Sequence, residues 1–221
     1  MDTLKNLPYP ELELRGVLRL QMKNDDAVKY IKSCRSNFRK AIKKDKLQCV
    51  TVFVLGDQIF LYYESNVPFE ISDYLPEISE YVYMWPGQSE LRPYVSMVKY
   101  FQSVPMEAVP DWKEARKGRK PYLSISRMKL DKLSSYIFYH YALQEEQPGS
   151  NGRYVAIWGN EEWCVLYGIK NSWDKYESEY VGKLDSKNVP EKWRDTMVPH
   201  FNRWPVSDRI YRQGKIILNV E

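Results

Sequence analysis

The chain repeats itself. Met22-Lys23-Asn24-Asp25 followed by Tyr30, and Met128-Lys129-Leu130-Asp131 followed by Tyr136, share the ungapped pattern MKxDxxxxY. A repeat constrains a fold more than a local motif does. Each copy must form the same supersecondary unit, and the copies must bury what one alone leaves bare.

The surroundings of the two matches agree in kind. A strand-like run precedes each one, Val17 to Met22 and Tyr122 to Met128. A helical stripe follows: Ala27, Ile31, Cys34, Phe38 and Ile42 in the first copy, and Leu133, Ile137, His140 or Tyr141, and Gln144 in the second. Asp25 and Asp131 stand where N-caps belong. Two hairpins come next, Cys49 to Leu55 with Ile59 to Tyr63, and Tyr154 to Trp158 with Trp163 to Tyr167. Each half then has a polar stretch, a Trp-Pro pair (Trp85-Pro86, Trp204-Pro205) and a last β-rich run, Tyr94 to Phe101 or Arg209 to Val220.

Each half therefore reads β-α-β-β-α-β, the ferredoxin-like unit of an α+β fold. Such a sheet has helices on one face only, so two of them bury their bare faces most simply by packing sheet to sheet, as a single-chain, pseudo-dimeric α+β barrel. The expected division is an N-terminal repeat over 1–102, a linker over 103–120 and a C-terminal repeat over 121–221. Pro105, Pro110 and Pro121 mark the linker, and its basic run from Lys113 to Lys120 reads as solvated.

Charge and cysteine usage exclude several classes. With 33 basic against 29 acidic residues, the net charge of +4 sets up no strong field, and no nucleic-acid partner is expected. Cys34, Cys49 and Cys164 show no ligand spacing, which suits a reduced, cytoplasmic setting. Met1 to Arg15 has no secretory apolar core, and no stretch is apolar enough to span a membrane. No dinucleotide, P-loop, HExxH or GxSxG motif occurs, and no metal or cofactor is expected.

The halves differ at one telling place. Tyr30 is followed one helical turn later by Cys34, whereas Tyr136 is followed by His140. A buried imidazole needs partners for both ring nitrogens, so His140 is either a satisfied core residue beside Tyr136 or Tyr154, or part of a polar site. His200, between Pro199 and Phe201, reads as structural. The second half is also rich in aromatic residues. Strand alternation sets Tyr154, Ala156 and Trp158 on one face, where rings could stack on a sugar or simply fill a core.

These residues carry a resemblance. Tyr136 with His140, Tyr154 opening a strand, Trp193 before Met197, and Pro205-Val206-Ser207 make the second half similar to the L-rhamnose mutarotase family of dimeric α+β barrels. Arg194 stands where that family has a second tryptophan, and the first half, with Cys34 and Tyr74, has lost the site. The resemblance implies an isomerase that interconverts the anomers of a rhamnose-like monosaccharide. His140 would be its acid/base, Tyr136 and Tyr154 its hydrogen-bonding groups and Trp193 its stacking wall. One chain would act as its own pseudo-dimer, with further homodimerisation left open. Two rival classes stand beside it: a non-catalytic carbohydrate- or metabolite-binding barrel, and a monooxygenase-type α+β barrel enzyme, either cofactor-free or with haem on His140.

Overall fold

A computed structural model describes residues 15–87, 89–103, 116–149, 155–170, 181–205 and 207–221. Tyr154, Trp173, Val206, the linker stretch 104–115 and the first 14 residues lie outside the described residues. In chain order the strands are β1 (Arg15–Gln21), β2 (Leu47–Leu55), β3 (Gln58–Ser65), β4 (Val95–Ser96), β5 (Val98–Gln102), β6 (Pro121–Met128), β7 (Ala156–Asn160), β8 (Trp163–Ile169), β9 (Phe201–Asn202), β10 (Tyr211–Gln213) and β11 (Lys215–Val220). The helices are α1 (Asp26–Ser33), α2 (Arg35–Lys43), α3 (Ile78–Tyr81), α4 (Leu133–Glu146) and α5 (Trp193–Met197). This is a mixed α+β fold with antiparallel sheets. Among the described residues, no helix is long and apolar enough to cross a membrane.

The chain forms two compact units, Met1–Met97 with Lys215–Glu221, and Val98–Gly214. The first sheet has the order β11-β2-β3-β1-β4 and the second β10-β6-β8-β7-β5. Corresponding strands occupy corresponding places in the two sheets. The last run of each half, however, does not stay whole. It splits at Met97 or Gly214: the first piece pairs with its own half (β4 on β1, β10 on β6), and the second joins the sheet of the other unit (β11 on β2, β5 on β7). The expected boundary at residue 102 thus falls after a strand that the second unit has already taken. An extended run advertises that it will pair, but not with which partner, because strand pairing is settled by contacts distant in sequence.

In the first unit, Leu18, Leu20, Val52, Ile59 and Leu61 bury one face of the sheet against Ala27, Ile31 and Phe38. The β2–β3 turn uses Gly56 at φ +60°, a conformation that costs glycine nothing. The helix is interrupted at Cys34, which ends α1 and opens α2.

In the second unit α4 runs unbroken until Gln147-Pro148-Gly149 stops it. Its start differs from expectation: Asp131 lies in a 3₁₀ turn, and Lys132 precedes the helix. The buried side also differs from the expected stripe, being Tyr136, His140 and Leu143 rather than Ile137 and Tyr141. A helix that is apolar nearly all round offers no single periodicity to read.

Candidate functional site

Five strands and two helices of the second unit line a cavity of about 390 Å³. Its floor is one face of the sheet. Ser126 pairs across to Cys164, Ser124 to Leu166, and Leu166 to Ile157, and directly paired residues share a face. The small serines leave room that Leu or Val would fill. Tyr211 and Gln213 of β10 complete the floor at the edge, where Gln213 Nε2 donates to Ser124 Oγ at 2.7 Å. Tyr136 and His140 of α4, Trp193 and Met197 of α5, and Phe201 line the remainder. The lining is mainly apolar, and no charged side chain belongs to it among the described residues.

His140 is held by three rings. Tyr136 lies 4.1 Å away between ring centroids, Trp193 5.0 Å in an edge contact and Phe101 5.5 Å in another. Its Nδ1 lies 2.9 Å from the Tyr136 carbonyl one turn back. A carbonyl can only accept, so Nδ1 carries the proton and neutral His140 presents Nε2 as an acceptor. Burial pushes the imidazole pKa down to about 4, against the opposing pull of that carbonyl, and the nearby His200 adds to the lowering. At neutral pH the ring is uncharged. Among the described residues Nε2 makes no hydrogen bond.

Tyr136 supplies the complement. The Cys164 thiol donates to its hydroxyl at 3.7 Å, and among the described residues the hydroxyl has no acceptor for its own proton. Burial raises the tyrosine well above its ordinary pKa and takes the thiol to about 12, so neither ionises at pH 7 and Cys164 is no thiolate nucleophile. Among the described residues, Tyr136 Oη–H is thus a donor and His140 Nε2 an acceptor without a partner, on adjacent rings in a mainly apolar cavity.

The wall is fixed from behind. Glu146, at the end of α4, accepts from Ser186 Oγ at 2.6 Å and from the backbone N–H of Asn188 and Val189 at 3.0 and 3.2 Å, which lowers its pKa. It thereby ties down the segment that leads to Trp193. His200 has a structural bracket of its own, with Nδ1 on the Thr196 carbonyl and Nε2 on Ser135 Oγ, both at 2.9 Å. Among the described residues there is no group of three or more His, Cys, Asp or Glu that could hold a metal ion.

Of the four residues singled out from the sequence, Tyr136, His140 and Trp193 come together here, and Tyr154 lies outside the described residues. Arg194 is exposed and does not line the cavity. Trp158, fully buried, is on the opposite face of β7 from Ile157 and so is not part of the site. Sequence reasoning missed Ser124, Ser126, Tyr211 and Gln213. The signal was present in the alternation Tyr122, Ser124, Ser126, which marks a face lined with small polar residues, but serines on a strand ordinarily read as solvent-facing.

No family model matches the chain, and no curated protein matches it. Solved structures do. A protein of Lactobacillus acidophilus, provisionally described as a monooxygenase, is similar over 93% of this chain and 94% of its own, at 7% identity and a TM-score of 0.43. One of Fusobacterium nucleatum with the same description covers 93% and 92% at 8% identity and a TM-score of 0.42. An anthrone oxidase-like protein covers 94% and 93% at 8% identity and a TM-score of 0.43.

These structures correct the resemblance drawn from sequence. Two are described as monooxygenases and one as anthrone oxidase-like, none as an L-rhamnose mutarotase, and nothing supports a monosaccharide substrate, an isomerase or carbohydrate recognition. The alternative of a monooxygenase-type α+β enzyme is the one whose description two of them share. The misreading has a physical source. Tyr and His at i and i+4 is what any helix needs to place two polar rings on one face, so the spacing reports a helix rather than a substrate.

Proposed function

We propose that the second unit is the catalytic half of a monooxygenase-type enzyme built from two ferredoxin-like repeats, and that its cavity binds a flat aromatic molecule with a phenolic or enolic hydroxyl. The observation that carries this is the pairing of an acceptor, His140 Nε2, with a donor, Tyr136 Oη–H, both without a partner among the described residues, inside an aromatic cage. A single hydroxyl satisfies both, donating to Nε2 and accepting from the tyrosine. As its proton moves to His140, the oxyanion is met by a donor already in place. An electron-rich enolate of this kind is oxidised by dioxygen: a ring CH₂ becomes C=O and the second oxygen atom leaves as water. Trp193 and Phe201 provide stacking walls and keep bulk water off the anion.

The low pKa of His140 favours a second reading, binding without turnover, because so weak a base accepts a proton only from an acidic hydroxyl. One experiment separates the two. Naphthols and anthrone, which reacts through its enol, are titrated by fluorescence and then assayed for oxygen uptake. Saturable binding, weakened about tenfold or more by His140→Ala and Tyr136→Phe, with oxygen uptake above the uncatalysed rate, is expected. Binding without uptake selects the second reading. No saturable binding of any probe overturns both.

A further inference from the structure

The floor of the cavity is polar where a core would be apolar. Ser124 and Ser126 of β6 both line it, four and two residues before Met128. On β1, which pairs with β3 as β6 pairs with β8, Leu18 and Leu20 stand at the same distances before Met22 and are buried in the core of the first unit. The neighbouring strand changes with them: Gln213 pairs with Ser124, and Ser96 with Leu18. Ser126 is only 9% exposed, and among the described residues its hydroxyl has no hydrogen-bond partner. Gln213 Nε2 donates to Ser124 Oγ, so the serine keeps its own proton to give, and among the described residues nothing accepts it. Buried hydroxyls left without partners cost free energy that an oxygen on a ligand recovers.

We propose that Ser124, Ser126 and Gln213 form a second polar subsite, which selects an aromatic ligand carrying a second, uncharged oxygen substituent. The inference rests on the reading above, in which a first hydroxyl sits between His140 and Tyr136. Strand register sets the spacing. Cys164, whose thiol meets Tyr136 Oη, is the direct partner of Ser126 and the diagonal neighbour of Ser124, which puts the two serines about 5 Å and about 7–8 Å from it. Oxygens separated by the longer distance stand at opposite ends of two fused rings, a size that a cavity of about 390 Å³ admits. Hydroxyl donors, with no charged side chain in the lining among the described residues, suit a hydroxyl, ether or carbonyl oxygen and not a carboxylate. The serines touch the ligand. Gln213 acts through Ser124, as a positioning residue that decides which way its hydroxyl donates.

Fluorescence titration of the full chain tests this by comparing 2-naphthol with 2,6-dihydroxynaphthalene and 6-methoxy-2-naphthol. Both two-oxygen probes are expected to bind about threefold to tenfold more tightly than 2-naphthol, the worth of one added hydrogen bond. Ser124→Ala combined with Ser126→Ala, which removes only two hydroxyls, is expected to abolish both preferences. Gln213→Glu separates positioning from packing. Its carboxylate accepts the Ser124 proton, so the preference for the methoxy probe, which can only accept at that end, is expected to vanish, while that for the dihydroxy probe, which can donate, persists. If 2-naphthol binds as tightly as the other two and still loses affinity in His140→Ala, the subsite is overturned and the reading it rests on stands. Preferences that survive the double alanine variant also overturn it, and a Gln213→Glu variant that changes both preferences alike overturns the positioning role. No saturable binding of any of these probes overturns the subsite together with the reading beneath it.

Discussion

The place of His140 in the second unit and the place of Cys34 in the first show how one helix position, four residues after a tyrosine, can serve two ends. Around Cys34 the space is filled. Tyr30 stacks on Tyr81 at 4.5 Å, and its hydroxyl accepts from the Glu77 N–H at 2.8 Å. Phe38 and Phe69 stack on Tyr74 at 5.4 and 5.0 Å. The helix breaks at the cysteine itself. Around His140 the helix is continuous, serines replace aliphatic residues on the facing strand, and among the described residues a donor and an acceptor are left open. The difference teaches that a site here is made by withholding packing, and that one polar substitution marks where this was done.

The comparison can be pressed hardest through the packing itself. Phe38→Ala empties the filled half and is expected to cost about 3–5 kcal/mol in urea denaturation, since Phe38 is fully buried and in contact with Tyr74. A cost below about 1 kcal/mol would show that the first unit is as loosely filled as the second.

A pH effect of somewhat smaller size belongs to His140 alone. Its folded pKa of about 4 lies below the 6.5 of the unfolded chain, so the unfolded state binds more protons between those values. Stability is expected to fall as pH drops through that window, by on the order of 3 kcal/mol in total, and His140→Gln should remove this part of the dependence. Parallel stability curves for wild type and variant from pH 7 to 4 would contradict it.

The smallest of the three effects comes from Cys34→His, which copies the second unit's residue into the first. Without a cavity to receive the ring, it is expected to lose about 1–3 kcal/mol at pH 7 and to gain no naphthol binding. A stable variant with a second saturable site would erase the distinction between the halves.

Much of this was legible beforehand. Local spacing carried both hairpins and the contrast between Cys34 and His140, because turn residues, alternation and helix spacing act over a few positions. The inner side of α4 was not legible, because Ile137, Phe138 and Tyr141 make its outer side as apolar as its inner one. The substrate class was misread for the same reason. Tyr136, His140 and Trp193 name a polar spot among rings, but the chemistry of a site depends on what is absent around it. Here that is charge, and bulk at Ser124 and Ser126.

By itself, then, the sequence determined a mixed α+β chain with antiparallel hairpins and a distinctive histidine on a helix, since turn chemistry, strand alternation and helix spacing act over a few residues. Tertiary structure alone decided that β5 and β11 change sheets, which proton His140 carries, and that a cavity stands open beside it. Each of those depends on partners far away in the chain, and backbone pairing, tautomer and unfilled volume have no local signature.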